Sequence, residues 1–201
     1  MALAAIRVSD PHGTIRIMTR RPLAFVFDLR HEAKNLYGSE GPAGFSIRRL
    51  AKRIGASSAV MYCFWPSRDA LLNVVANDSW ESFRKDQRRH QDLKPARARL
   101  AALTSDAIDF ALANPHLWDL MLEPKSARLP AIERVIALVY DAIMQASREE
   151  PLEPTAPPLR CAQGWLGLVA GMVRLHRANA FPEETLRKFC CELAGKIFGL
   201  S

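Results

Sequence analysis

Phe45–Leu72, FSIRRLAKRIGASSAVMYCFWPSRDALL, decides how this chain folds. It lays out two short helices joined by a tight turn, with a third helix close behind. Ser46 is a strong N-cap, because its hydroxyl can accept from an orphan first-turn N–H. Ile47, Leu50, Ala51 and Ile54 follow at helical spacing and make an apolar face. Arg48, Arg49, Lys52 and Arg53 fall on the other side. Gly55 supplies the positive φ that a helix end or sharp turn needs. Ser57 or Ser58 caps the second helix, whose few apolar positions are Val60, Met61 and Phe64. Pro66 ends it, and Ser67 caps a helix continuing through Ala70, Leu71 and Val74. A helix, a glycine turn and a short second helix in a basic setting form the helix-turn-helix plan, whose second helix enters the DNA major groove.

Charge and composition agree with that plan. Up to Ala70, 11 Lys and Arg stand against 5 Asp and Glu; the remainder has 17 against 16. Nearly all of the net +7 therefore sits with the helix-turn-helix, the electrostatic footprint of a nucleic-acid binder. A second basic cluster (Arg84, Lys85, Arg88, Arg89, Lys94, Arg97, Arg99) reads either as a solvated face near a domain junction or as an aid in holding DNA. The 201 residues are 49% hydrophobic, enough for a sizeable core. No run approaches the ~18–20 apolar residues of a membrane span, and no signal-peptide pattern is present. Cys63, Cys161, Cys190 and Cys191 have neither metal-ligand nor disulfide-framework spacing, so a reduced, cytoplasmic protein without metal or cofactor is expected. Phosphate loops, HExxH and paired-cysteine motifs are missing, which argues against an enzyme.

Phe45-Ser46-Ile47, Leu50-Ala51, Gly55-Ala56-Ser57, Met61-Tyr62 and Trp65-Pro66-Ser67-Arg68 resemble the helix-turn-helix signature of the TetR family of bacterial transcriptional regulators. The resemblance spans roughly Arg20 to Leu72. It departs from the family at Trp65, where Phe is common, and at Arg68, where Lys is usual. It implies an all-α fold: an N-terminal three-helix helix-turn-helix DNA-binding domain plus a C-terminal helical ligand-binding and dimerisation domain. The expected divisions are a flexible extension over 1–18, the DNA-binding domain over 19–66, a connecting helix over 67–92 and the effector-binding and dimerisation domain over 93–201.

The resemblance also implies DNA contacts. Tyr62 and Arg68 match family positions that touch phosphate, and Ser46 with Arg48 can do so from the first helix of the motif. Ser57, Ser58, Ala59 and Cys63 lie on or near the exposed side of the recognition helix and can face base edges. Tyr62 has a second reading, as an aromatic closing the small core. Trp65 reads as core. The implied partners are a double-stranded DNA operator, a second copy of the chain and an unknown small-molecule effector, with no membrane. The function expected is a sequence-specific repressor released by a hydrophobic effector; the alternative is an activator, or an adaptor whose C-terminal half docks a protein.

The rest of the chain reads as helices. Before the motif, Asp10-Pro11-His12-Gly13 is a turn, and Arg7 and Arg16 suit either a minor-groove arm or a disordered extension. A first helix is predicted over Arg21–Tyr37, broken by Gly38 and by Gly41 to Gly44. Beyond Pro95, helices are predicted up to Asn114-Pro115, over His116–Leu122 and around Ile132–Ile143. The proline-rich stretch after Glu149 predicts an extended loop. The last two helices, Leu159–Asn179 and Glu183–Gly199, are apolar almost all round, which requires burial on more than one side. Gly164, Gly167 and Gly171 each cost ~1 kcal/mol against Ala, a cost that close approach of another helix can offset. With Phe189, Leu193 and Ile197 they make the expected dimer interface. Phe110, Trp118, Met121, Tyr140, Met144, Trp165 and Met172 are the candidate effector-pocket residues, each also readable as ordinary core. His116 and His176 read as pocket anchors or surface residues. Asn114–Met121, and Trp165 followed by Gly171, resemble the WHG-type ligand-binding subclass, with Ala170 in the place of the subclass histidine.

Overall fold

The computed structural model describes residues 6–9, 15–18, 22–90, 92–123, 130–149 and 156–199. Among these, the chain is helical apart from one small ribbon. The helices are α1 (Pro22–Gly44), α2 (Ile47–Arg53), α3 (Ser58–Phe64), α4 (Arg68–Gln87), α5 (Ala96–Ala113), α6 (Pro115–Leu122), α7 (Pro130–Glu149), α8 (Pro158–Arg177) and α9 (Glu183–Phe198). A 3-10 turn, Arg88–His90, follows α4. Within the segment expected to be a flexible extension, β1 (Ile6–Ser9) pairs with β2 (Ile15–Met18), antiparallel, with Ile6 opposite Met18. Alternation of β-branched and polar residues in IRVS and IRIM suits such pairing. The expected turn at 10–13 and the proline-rich stretch at 150–155 lie outside the described residues.

Two hydrophobic cores form. The N-terminal core gathers Phe25, Leu29, Leu36 and Tyr37 of α1, Ile47, Leu50 and Ala51 of α2, Val60 and Met61 of α3, and Leu71, Leu72 and Val75 of α4. Trp65 is buried in it, as its sequence setting suggests. The carrier core begins at Trp80 and Phe83, farther along α4, and takes in residues of α5 to α9. Two of its tryptophans find partners for their N–H groups, whereas the buried Trp118 Nε1 has none among the described residues. Trp80 Nε1 donates to the Met121 carbonyl at 3.1 Å, and Trp165 Nε1 to Thr104 Oγ1 at 3.0 Å. Burial makes these bonds necessary, because a buried N–H without an acceptor costs ~1–3 kcal/mol.

α6 joins the two cores. Leu117 and Leu120 belong to the N-terminal core, while Trp118 and Met121 belong to the carrier core. An eight-residue helix with apolar side chains on two sides is buried between two bodies. This explains a departure in α1. The predicted break at Gly38 does not occur, and the helix stays regular until Gly41, where φ is 65°. A Cβ at Gly38 would sit 3.3 Å from Leu117 Cδ1, so glycine there admits α6 without breaking α1. At Gly41 a Cβ would sit 2.8 Å from the His116 ring, so His116 is an inter-core contact as well as partly buried.

Leu117→Ala should destabilise the protein by about 2–4 kcal/mol, through lost burial and the cavity left behind, read by urea denaturation. A change near zero would mean that α6 does not pack on α1 in solution.

Candidate nucleic-acid interface and carrier cavity

Three serines shape the N-terminal motif. Ser46 Oγ accepts from Arg49 N at 3.2 Å, Ser57 Oγ from Val60 N at 3.4 Å, and Ser67 Oγ from Ala70 N at 3.0 Å. Each serves a helix-start N–H, and Val60 N also donates to the Ser57 carbonyl at 3.1 Å. Between α2 and α3, Gly55 takes φ 67° and Ala56 N donates to the Ala51 carbonyl at 2.9 Å. Val60 and Met61 then point into the core, which turns Ala59, Tyr62 and Cys63 outward. Tyr62 is 53% exposed, so it projects rather than closing the core. Ser57 and Ser58 are half-buried at the start of α3.

The cations of α2 divide into two sets. Arg49 pairs with Glu40 at 2.6 Å, and Arg53 pairs with Glu32 at 3.0 Å and Glu40 at 3.5 Å. These bridges tie α2 to α1. Arg48 and Lys52 are exposed one turn apart, with no acidic partner among the described residues. Lys52 is therefore a candidate phosphate contact that the sequence reading missed; its signal was the i, i+4 spacing from Arg48. Arg68 is half-committed within the fold. It donates to the Pro42 carbonyl at 3.2 Å, and its guanidinium sits 5.6 Å from the Phe45 ring centroid. The remaining N–H groups of its fork stay available for an anion.

The second basic cluster is not a uniform solvated face. Arg84 pairs with Glu81 at 2.9 Å, and Arg89 pairs with Asp106 at 2.6 Å. Arg99 is only 8% exposed and donates to Gln145 Oε1. Sequence spacing could not show this, because the partners lie on α5 and α7 as well as on α4.

The seven candidate pocket residues do not line one cavity. Phe110, Trp118, Met121, Trp165 and Met172 pack in or against the carrier core, with Trp80 and Trp118 ring centroids 6.2 Å apart. Met144 is half-buried. Trp118 also borders an open groove between α6 and α8, shared with Gly171, Arg174 and Arg177, whereas Tyr140 borders another, between α7 and α8. Large apolar side chains fill space when they can, which is why a list of them does not mark a vacancy. A separate cavity of about 260 Å³ lies among α4, α5 and α7, lined by Gln87, Arg99, Leu103, Leu138, Asp141, Ala142 and Gln145. None of these was a candidate, because polar residues scattered over three helices carry no common spacing.

The expected dimer residues also divide. Among the described residues, a Cβ at Gly164, Gly167 or Gly171 would meet nothing within 4 Å, so no described helix closes on that face. Phe189 and Leu193 are exposed, as are Leu159 and Leu175. Ile197, by contrast, packs partly against the carrier core. His176 Nδ1 lies 2.9 Å from the Phe181 carbonyl, a local contact beside the α8–α9 turn. Cys63 and Cys191 are exposed and Cys161 and Cys190 are buried; burial first, and Cys191 second, push the Cys190 thiol up to about 11. Among the described residues no three His, Cys, Asp or Glu side chains cluster to hold a metal, and no helix is long and apolar enough to cross a membrane.

Two family models match. Residues 29–75 match one described as bacterial regulatory proteins, tetR family, and residues 100–190 match a tetracyclin repressor-like C-terminal domain. That second match does not single out the WHG type. No curated protein matches the chain in sequence. Among solved structures, a Rhodococcus protein of unknown function is 22% identical, covering 90% of this chain and 97% of that one, with a TM-score of 0.73. A putative TetR-family regulator from Rhodococcus is 18% identical, with coverages of 85% and 96% and a TM-score of 0.68. RolR in complex with resorcinol is 13% identical, with coverages of 89% and 93% and a TM-score of 0.69.

Thiol exposure gives a direct check on these placements. Alkylation of the native protein should label Cys63 first and Cys190 last, as peptide mass mapping over time would show. Early labelling of Cys190 would contradict the packing of α9.

Proposed function

Because the chain belongs to the TetR family of DNA-binding bacterial transcriptional regulators, which are not enzymes, we propose that it works in the cytoplasm as a homodimeric repressor released from its operator by a small effector. The observation that carries the DNA reading is the outward set on α2 and α3: Arg48, Lys52, Ala59, Tyr62 and Cys63 exposed on two capped helices. In this reading Arg48, Lys52, Tyr62, Arg68 and Ser46 hold phosphates and set register, while Ser57, Ser58, Ala59 and Cys63 face base edges. Small side chains there leave direct readout to close approach and thymine methyl contacts. The domain divisions follow the same plan, with α4 and α6 linking the DNA-binding and carrier halves.

Support for a dimer comes from the open glycine face of α8 beside the exposed Phe189 and Leu193 of α9. Closure of a second copy over that face explains why glycine is used where nothing in the chain demands it. A symmetric pair also presents two recognition helices to two half-sites. The effector reading rests on the α4–α5–α7 cavity, and resorcinol on RolR, a protein of the same fold, supports a carrier domain that holds a small molecule. An effector there bears on α4, which continues into the N-terminal core.

Fluorescence anisotropy on the DNA upstream of the protein's own coding region, against a scrambled control, tests the regulator reading; equal affinity for both would overturn sequence-specific control at that site. In the same assay Arg48→Ala and Lys52→Ala should each lower the slope of log affinity against log salt by about 1. Arg49→Ala, already paired with Glu40, should change it less. Tyr62→Ala should weaken all sequences alike. Gly167→Leu should leave the protomer folded, by circular dichroism, yet shift sedimentation from dimer toward monomer. An unchanged dimer would remove α8 from the interface.

A further inference from the structure

The residues of α3, SAVMYCF, include no Arg, Lys, Asn, Gln, Asp or Glu. Those are the side chains that pair with guanine or adenine by two bonds at once, or accept from the amino group of cytosine. Packing then settles which residues of α3 face out. Val60 and Met61 are buried, and Phe64 is half-buried beside the rings of Phe25 and Trp65. Ala59, Tyr62 and Cys63 are left exposed. Ala59 and Cys63 stand one turn apart on one face. Cys63 Sγ donates to the Ala59 carbonyl at 3.4 Å, which turns the thiol proton back onto the helix. Ser57 Oγ is held in the cap by Val60 N. Ser58, half-buried in the first turn, carries a hydroxyl that both donates and accepts, so it suits any base. Tyr62 stands beside this face and, in the regulator reading, holds a phosphate. The centre of the exposed face is therefore a methyl group and a sulfur with its methylene, with no donor to offer.

Among the groups that base pairs present in the major groove, the apolar one is the C5-methyl of thymine. We propose that Ala59 and Cys63 together read pyrimidine C5-methyl groups, so that the operator is specified through thymines at the positions they face and 5-methylcytosine can replace thymine there. The proposal rests on the regulator reading above and names the class of operator it implies. A methyl group moved from water onto Ala59 Cβ and Cys63 Sγ gains by the hydrophobic effect. The adjoining polar atom, O4 in thymine or N4 in cytosine, finds no partner in either side chain, so the methyl alone tells the two pyrimidines apart. A cytosine methylated at C5 presents that same group in the same corner of the groove. A cytosine-bearing site should thus strengthen on methylation.

In vitro selection on the full chain from a random duplex pool supplies the site, and fluorescence anisotropy then follows base analogues within it. Replacing thymine by deoxyuridine removes one methyl and nothing else. At one or two thymines of each half-site it should lower affinity about fourfold, the worth of one buried methyl group, and be silent at the others. With cytosine placed at such a position, the C5-methylated duplex should bind about fourfold more tightly than the unmethylated one. Cys63→Ser, which keeps the side chain's size but makes it polar, and Ala59→Gly should each reduce the deoxyuridine penalty at one of those thymines, with circular dichroism checking the fold. The series of DNA analogues uses the unaltered protein and needs no variant to fold. Deoxyuridine without effect at every thymine of a selected site, or methylcytosine no better than cytosine, would overturn the methyl reading and leave the regulator reading intact. A penalty unchanged in both folded variants would assign the methyl to another element and overturn it as well. A pool that returns no recurring sequence would overturn the regulator reading, and this inference with it.

Discussion

The two halves of this molecule are joined by α4, which runs through both cores, and by the two-sided burial of α6. Leu117 and Leu120 enter one core while Trp118 and Met121 enter the other. A short helix has little stability of its own, so α6 exists because both cores hold it. The constraint reaches back into α1, where Gly38 admits Leu117 and Gly41 admits the ring of His116. It reaches forward into α4 through the bond from Trp80 to the Met121 carbonyl. Movement of the carrier core relative to α4 must therefore be felt by α1 and α2, the elements that present the basic surface.

Charge is distributed by the same logic of scarce partners. Glu32 and Glu40 of α1 take up Arg53 and Arg49, at the back of α2. Surface pairs of this kind stabilise little, but they decide which cations are left for a ligand. Arg48 and Lys52 remain outward. In the carrier, Asp106 gathers Gln87, Arg89 and His90 at the end of α4. That cluster holds the Gln87 amide nitrogen at the end of α4. Acidic residues on neighbouring helices thus sort a basic sequence into structural and available charge.

How much of this was legible depended on whether the deciding contacts were local. The serine caps at 46 and 67 and the Gly55 turn follow from neighbours within a turn or two and were readable in Phe45–Leu72; that Ser57 rather than Ser58 caps α3, and that Tyr62 faces out rather than closing the core, was decided by packing. Strand pairing at Ile6–Ser9 with Ile15–Met18 had the right alternation too, but a four-residue pattern is short enough to pass for irregular chain. Gly38 misled because glycine signals a helix break locally, whereas here its use is to let Leu117 approach from 79 residues away in sequence. The aromatic list had two readings from the start: Phe110, Met121 and Trp165 pack in or against the carrier core, while Trp118 packs there and also borders the α6–α8 groove.

Sequence by itself determined the helices, their caps, the helix-turn-helix and the concentration of positive charge around it, because hydrogen bonding within a turn and apolar periodicity are properties of neighbouring residues. Tertiary structure alone decided which cations are spent, where the cavity lies and what faces it. Those outcomes belong to helix faces brought together from distant positions, Gln87, Arg99 and Gln145 among them, and no spacing along the chain records which faces will meet.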